Sequence, residues 1–142
     1  MSYQTLTLET DNHVATITLN RPEMMNAFSE QLIWEMGEAT KAVKDDAQIR
    51  VLVITGQGRG FTAGADLGER DASWTDTKDA LERGYYPFIK NIIDMPKPVI
   101  GSINGAAAGI GAAVAMACDL RIMAKEAYIM SVFSNIALVP DG

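Results

Sequence analysis

The sequence predicts an α/β fold, and three observations carry that prediction. Short β-type segments alternate with stretches of helical periodicity. One continuously apolar run, Val51 to Thr55, has the length and bounds of a buried strand. Two glycine-rich turns each stand between a strand and a helix. The chain has 142 residues, 48% of them hydrophobic and 21% charged, with no low-complexity tract, repeat or linker, so one domain spanning 1–142 is expected.

Thr5 to Leu8 and His13 to Leu19 are expected as two strands around the polar turn Glu9-Thr10-Asp11-Asn12. Val14, Thr16 and Thr18 alternate with Ala15, Ile17 and Leu19, the period of a half-buried strand. Asn20-Arg21-Pro22 ends the pairing. Ser29 suits a helix N-cap, and Leu32, Met36, Ala39 and Val43 then recur at helical spacing as far as Lys44-Asp45-Asp46. Val51 to Thr55 follows as a strand, expected to be buried on both faces. Residues 68 to 78 are polar and irregular, the segment expected to move most. A helix over about Asp76 to Met95 places Leu81, Tyr85, Phe88, Ile89 and Ile92 on one side, and Pro87 should break or kink it. Lys97-Pro98 opens a strand through Ile103, Gly109 to Ala117 reads as a helix, and Asp119 to Ala124 as another strand. Val139-Pro140-Asp141-Gly142 is a turn-and-cap signature with no helix after it, so the expectation is that either the protein continues or the remainder has been lost.

Composition narrows the function classes. Twelve Lys and Arg against eighteen Asp and Glu leave a formal charge of −6, which argues against a nucleic-acid or anionic-membrane surface. The stretch from Pro98 to Cys118 lacks charge, and Gly105 and Gly109 have the spacing of a membrane dimer helix. Its Pro, Ser102, Asn104 and many Ala and Gly make it a poor bilayer span, so a strand and a packed helix are preferred. A single cysteine, Cys118, cannot form an internal disulfide, and Met1 to Asn12 carries no secretory signature, so a cytoplasmic location is expected. One His and one Cys at no ligand spacing predict no metal site. His13 reads as a surface residue, Met24, Met25 and Met36 as core or pocket lining, and Tyr85 and Tyr86 as core or acyl-pocket residues.

The chemistry concentrates in the two glycine turns, Phe61-Thr62-Ala63-Gly64-Ala65-Asp66-Leu67 and Asn104-Gly105-Ala106-Ala107-Ala108-Gly109-Ile110-Gly111. Small residues let backbone approach a ligand, and a helix start offers unpaired N–H groups with positive dipole charge. Two such turns facing each other could aim two amides at one oxygen, an oxyanion hole. Each could equally be a tight turn and nothing more. Gly109 to Val114 also has the outline of a dinucleotide-binding turn, but Val114 fills its third small position, and Asp119 and Glu126 are misplaced for the ribose acid.

Four motifs in order bear on the choice: Asn20-Arg21-Pro22 with Asn26-Ala27, Phe61 to Asp66, Lys97 to Gly111, and Cys118-Asp119. Together they resemble the crotonase (enoyl-CoA hydratase/isomerase) family over essentially the whole chain. The resemblance implies a spiral of repeated ββα units, normally closed by C-terminal helices absent from this chain. It implies an acyl-CoA substrate, with CoA as part of the substrate and no separate cofactor, and a homo-oligomer, a trimer or dimer of trimers. It places Ala27, Ala63, Ala65, Asp66, Leu67, Ile110 and Phe133 along the substrate path. The amides of Ala65 and Ile110 would hold the thioester oxygen, Ile110 standing where many members have glycine.

The family's hydratases carry glutamates where this chain has Ala113 and Phe133, and water addition needs such an acid and base. Leu138-Val139-Pro140-Asp141 resembles the corresponding stretch of members that isomerise double bonds, which makes Asp141 the candidate catalytic acid/base; a helix cap is the other reading of Asp141. The expected function is therefore isomerisation of an enoyl-CoA double bond, β,γ to α,β. Hydratase-like or other family chemistry, a non-catalytic acyl-CoA-binding subunit and a dinucleotide oxidoreductase are the alternatives.

Overall fold

The computed structural model describes residues 3–68 and 73–133. The chain opens with an antiparallel hairpin, β1 (Leu6–Asp11) and β2 (Val14–Leu19), with Asp11 paired to Val14. Its turn is Asn12-His13 alone, both at positive φ (46° and 68°), so Glu9 to Asp11 belong to the strand and not to the expected turn. A two-residue turn of this kind matches the strand twist and lets pairing run to its edge.

Helix α1 (Glu30–Asp45) follows, with Ser29 Oγ accepting from the Leu32 amide at its start. Leu32, Met36, Ala39 and Val43 form its fully buried stripe. β3 (Val51–Gly56) then pairs parallel with β2. Its Leu52 and Ile54 are fully buried but Val51 and Val53 only half-buried, so burial on both faces is corrected to an alternating pattern. The helical layer packs on one face, and the partly exposed Thr16, Thr18 and Ile100 continue the other.

Residues 77–93 are continuously helical: α2 (Thr77–Ala80), a π turn over Leu81–Tyr85, and α3 (Tyr86–Ile93). Of the break or kink expected at Pro87, the break does not occur, and the helix instead distorts locally into a π turn just before it. The wider π turn, in which the Tyr86 amide reaches the Leu81 carbonyl, precedes it and puts the proline in the first turn of α3, where its missing N–H leaves no gap. Phe88 and Ile92 are buried, with Tyr85 and Ile89 packed partly against the core. β4 (Val99–Ile103), the short β5 (Ala107–Ala108), α4 (Ile110–Ala117), β6 (Leu120–Met123) and the short β7 (Ile129–Met130) complete the described chain. The main sheet runs β1-β2-β3-β4-β6, parallel from β2 onward, and β5 pairs with β7 in a second small ladder that the sequence did not suggest.

Among the described residues no helix is long and apolar enough to cross a membrane. Met36 is buried as expected, whereas Met24 is 47% exposed, because the 3-10 turn Pro22–Met24 that carries it buries no residue.

Candidate functional site

Both glycine turns end at the same cavity. It has a volume of about 500 Å³ and is walled by Ala63 to Leu67, by Gly109 and Ile110 at the start of α4, and by apolar side chains of α1 and residues 74–85. The turns abut. Gly64, at φ +98°, faces the second turn so closely that a methyl group there would lie 2.8 Å from the Ala108 carbonyl oxygen. A glycine is the residue that satisfies both that φ and that approach.

Backbone hydrogen bonds tie the first turn down on both sides of Ala65. The Phe28 amide donates to Gly64 O at 2.7 Å, and the Asp66 amide donates to Phe28 O at 3.0 Å. The Thr62 amide donates to Ala106 O at 2.9 Å and the Ala108 amide to Thr62 O at 3.0 Å, which joins the two turns. The second turn is anchored from behind by the Gly109 amide on Met130 O at 3.1 Å. Among the described residues, neither the Ala65 nor the Ile110 amide has a hydrogen-bond acceptor. Ile110 is the first residue of α4, whose N-cap Gly109 offers no side-chain bond, so the positive end of that helix faces the cavity.

Asn26 holds the frame from below. It is fully buried at φ +55°; its Nδ2 donates to the carbonyls of Gln57 (2.9 Å), Gly60 (2.9 Å) and Phe61 (3.2 Å), and its Oδ1 accepts from the Arg21 amide at 2.9 Å. Arg21 Nη1 then reaches Ala27 O at 2.6 Å and Asp66 Oδ2 at 3.0 Å, with both side chains largely buried. The sequence offered Asn26 and Arg21 only as parts of a motif; their bonds reveal a clamp joining three loops.

Of the residues expected along a substrate path, Ala63, Ala65, Asp66, Leu67, Ile110 and Phe133 line the cavity. Ala27 does not: it is buried, and its carbonyl accepts from Arg21. Asp66 lines the cavity, but its carboxylate is bound to Arg21, so its side chain serves the frame. Ala113 is half-buried on α4 and brings no polar side chain. Asp141 lies outside the described residues. Tyr85 is on the cavity wall, whereas Tyr86 is 59% exposed on the far side of the helix, which corrects its placement as a core or pocket residue. His13 is exposed, its Nδ1 2.7 Å from Gln48 O. The Cys118-Asp119 pair is structural: Cys118 Sγ contacts Val114 O, and Asp119 Oδ2 accepts from the Val99 amide. Trp74 is a wall residue that the sequence reading did not single out.

The two turns thus bring the Ala65 and Ile110 backbone to the wall of one largely apolar cavity. The family model described as enoyl-CoA hydratase/isomerase matches residues 9–142, and the chain belongs to that crotonase family. It is 42% identical over 132 residues to 1,2-epoxyphenylacetyl-CoA isomerase of Escherichia coli, covering 90% of this chain and 50% of that protein. It is 40% identical over 142 residues to a probable enoyl-CoA hydratase of Rhodobacter capsulatus, covering 100% of this chain and 54% of the relative. A crystal structure of an enoyl-CoA hydratase/carnithine racemase from Magnetospirillum magneticum superposes with a TM-score of 0.90 at 29% identity, covering 99% of this chain and 54% of that one. The chain thus has the crotonase α/β fold and spans about half the length of these relatives.

Proposed function

We propose that the protein binds an acyl-CoA and isomerises an enoyl-CoA double bond from β,γ to α,β, with the Ala65 and Ile110 amides as the oxyanion hole. The observation that carries this reading is that two amides on one cavity have no acceptor among the described residues, each held by a hydrogen-bonded turn. In the reaction a base removes a proton from the α-carbon. The electron pair spreads through the double bond, and negative charge collects on the thioester oxygen. Two N–H donors hold that charge best in a site already short of water, where no reorganisation is needed. Return of a proton at the γ-carbon restores the neutral thioester with the double bond conjugated.

Asp141 is the residue we assign to both proton transfers, on the family resemblance; one carboxylate suffices because the proton leaves one carbon and returns to another. The absence of a carboxyl side chain at Ala113 and Phe133 favours isomerisation over water addition. Relatives named as hydratases keep hydration as the second reading. CoA is part of the substrate, and the scheme needs no separate cofactor. A homotrimer or dimer of trimers belongs to the reading; the exposed Met116, Leu120 and Ile122 would suit burial in an assembly. A cytoplasmic location also belongs to it, with the single free thiol in support.

The test is Asp141→Asn in the intact protein, assayed with a β,γ-enoyl-CoA. The variant should bind substrate by calorimetric titration and lose conversion to the α,β isomer. Wild-type turnover by the variant would leave Asp141 as a helix cap, and no acyl-CoA binding by the wild type would end the reading.

A further inference from the structure

Trp74 forms part of the cavity wall beside Thr75, Ala80, Leu81 and Tyr85, and it is held there from several sides. Its indole stacks on Trp34 of α1, with ring centroids 5.4 Å apart and planes inclined by 26°. The Arg83 guanidinium lies 5.4 Å from its ring centroid, and Arg83 is itself fixed by Asp79 at 2.9 Å. Asp79 Oδ2 also accepts from the amide of Thr75, the next residue, at 3.1 Å. On the other side Glu30 Oε1 accepts from Trp34 Nε1 at 3.0 Å and from Ser73 Oγ at 2.9 Å, tying both tryptophans to the first turn of α1.

Gly84, buried in the π turn, completes the seat. A methyl group there would lie 3.0 Å from Trp74 Cη2 and 3.1 Å from Ile33 Cγ2, and both side chains line the cavity. The absent side chain at 84 therefore lets the indole settle against the helix. An aromatic pair or an exposed cation–π contact is modest on its own. The convergence of these contacts on one ring sets its position on the cavity wall, and an acyl group entering there would have to fit against it.

Resting on the acyl-CoA reading above, we propose that Trp74 is the specificity-determining residue that limits the size of the acyl group, with Gly84 as its positioning residue. The indole is the largest apolar group among the residues of this wall. Its removal opens room for several methylenes, while added bulk at residue 84 presses the ring and Ile33 toward the cavity.

The experiment compares kcat/KM for a six-carbon and a twelve-carbon β,γ-enoyl-CoA in the intact wild type, Trp74→Ala and Gly84→Ala. Trp74→Leu gives the same readout with less loss of packing should the alanine variant not fold. Because a pocket discriminates about tenfold or more per misfitted methylene, Trp74→Ala or Trp74→Leu should raise the long-to-short ratio by about tenfold or more, chiefly through KM for the long substrate. Gly84→Ala should lower that ratio. Ratios within about twofold of wild type in folded variants that still bind acyl-CoA would overturn the assignment of Trp74 alone. Failure of the wild type to bind any acyl-CoA would overturn the acyl-CoA reading, and this inference with it.

Discussion

Replacing Asn26 by alanine removes the clamp under the Ala65 turn without touching the cavity. The Gly60 carbonyl keeps a second donor, Asn104 Nδ2 at 3.1 Å, so its loss is small. The Arg21 amide and the Phe61 carbonyl each lose their bond to Asn26, and a group left unsatisfied in a buried place costs about 1–3 kcal/mol. Alanine at φ +55° adds about 1 kcal/mol, since asparagine tolerates the left-handed region better. The expected loss is about 3–7 kcal/mol, a large share of the ~5–15 kcal/mol that stabilises a domain.

Asn26→Asp keeps the shape and the acceptor for the Arg21 amide, but sets a carboxylate oxygen against three carbonyl oxygens. It should be at least as damaging at pH 7 and partly relieved in acid, where a protonated carboxyl can donate again. Urea melts at fixed protein concentration read both variants. With a slope of about 1–3 kcal/mol per molar, each midpoint should fall by at least about 1 M at pH 7. A midpoint within about 0.3 M of wild type for Asn26→Ala would refute the idea that these bonds hold the loops together.

Further predictions concern groups outside the cavity. Burial raises the Glu35 pKa, but bonds from Thr5, Gln31 and the Gln4 and Thr5 amides outweigh it and hold the carboxyl below its ordinary 4.5. Its contribution is therefore present above the unfolded value and lost as pH falls through the lower folded one. Glu35→Gln should lower the urea midpoint at pH 7, with the gap to wild type closing in acid; a gap constant with pH would contradict this. Burial pushes the Cys118 thiol up to about 11, so at pH 8 it should react with iodoacetamide only as the protein unfolds. Labelling at the rate of free cysteine in native buffer would refute its burial.

Where local chemistry decides, the sequence was legible. Ser29 and the stripe from Leu32 to Val43 marked α1 to within a residue, because cap and period are local signals. The apolar run at Val51 located β3 but not its covering, which depends on what packs against each face. Pro87 does not end the helix because the π turn Leu81–Tyr85 precedes it, and a turn of that kind could not be read from composition. The two-residue ladder of β5 and β7 is too short to show any period. At the site, the glycine turns were legible as turns, and their contact across Gly64 and Ala108 was not. Asp66 was expected along the substrate path for its place in the motif, yet its carboxylate belongs to Arg21, a partner 45 positions away. Trp74 escaped notice for a like reason, since Trp34 and Gly84 meet it only in the fold.

The central claim is that two amides receive the thioester oxygen, and its most direct test is the carbonyl stretch of a bound substrate. An acyl-CoA labelled with carbon-13 at the thioester carbonyl, bound to the intact protein, isolates that band in an infrared difference spectrum. Hydrogen bonds from the Ala65 and Ile110 amides polarise the C=O bond and should move its stretch to lower frequency than in free acyl-CoA in water. Ala65→Pro, which deletes one N–H, should recover part of the shift in any folded sample that still binds. A bound thioester whose stretch matches the free molecule, with Ala65→Pro leaving it unchanged, would contradict the account.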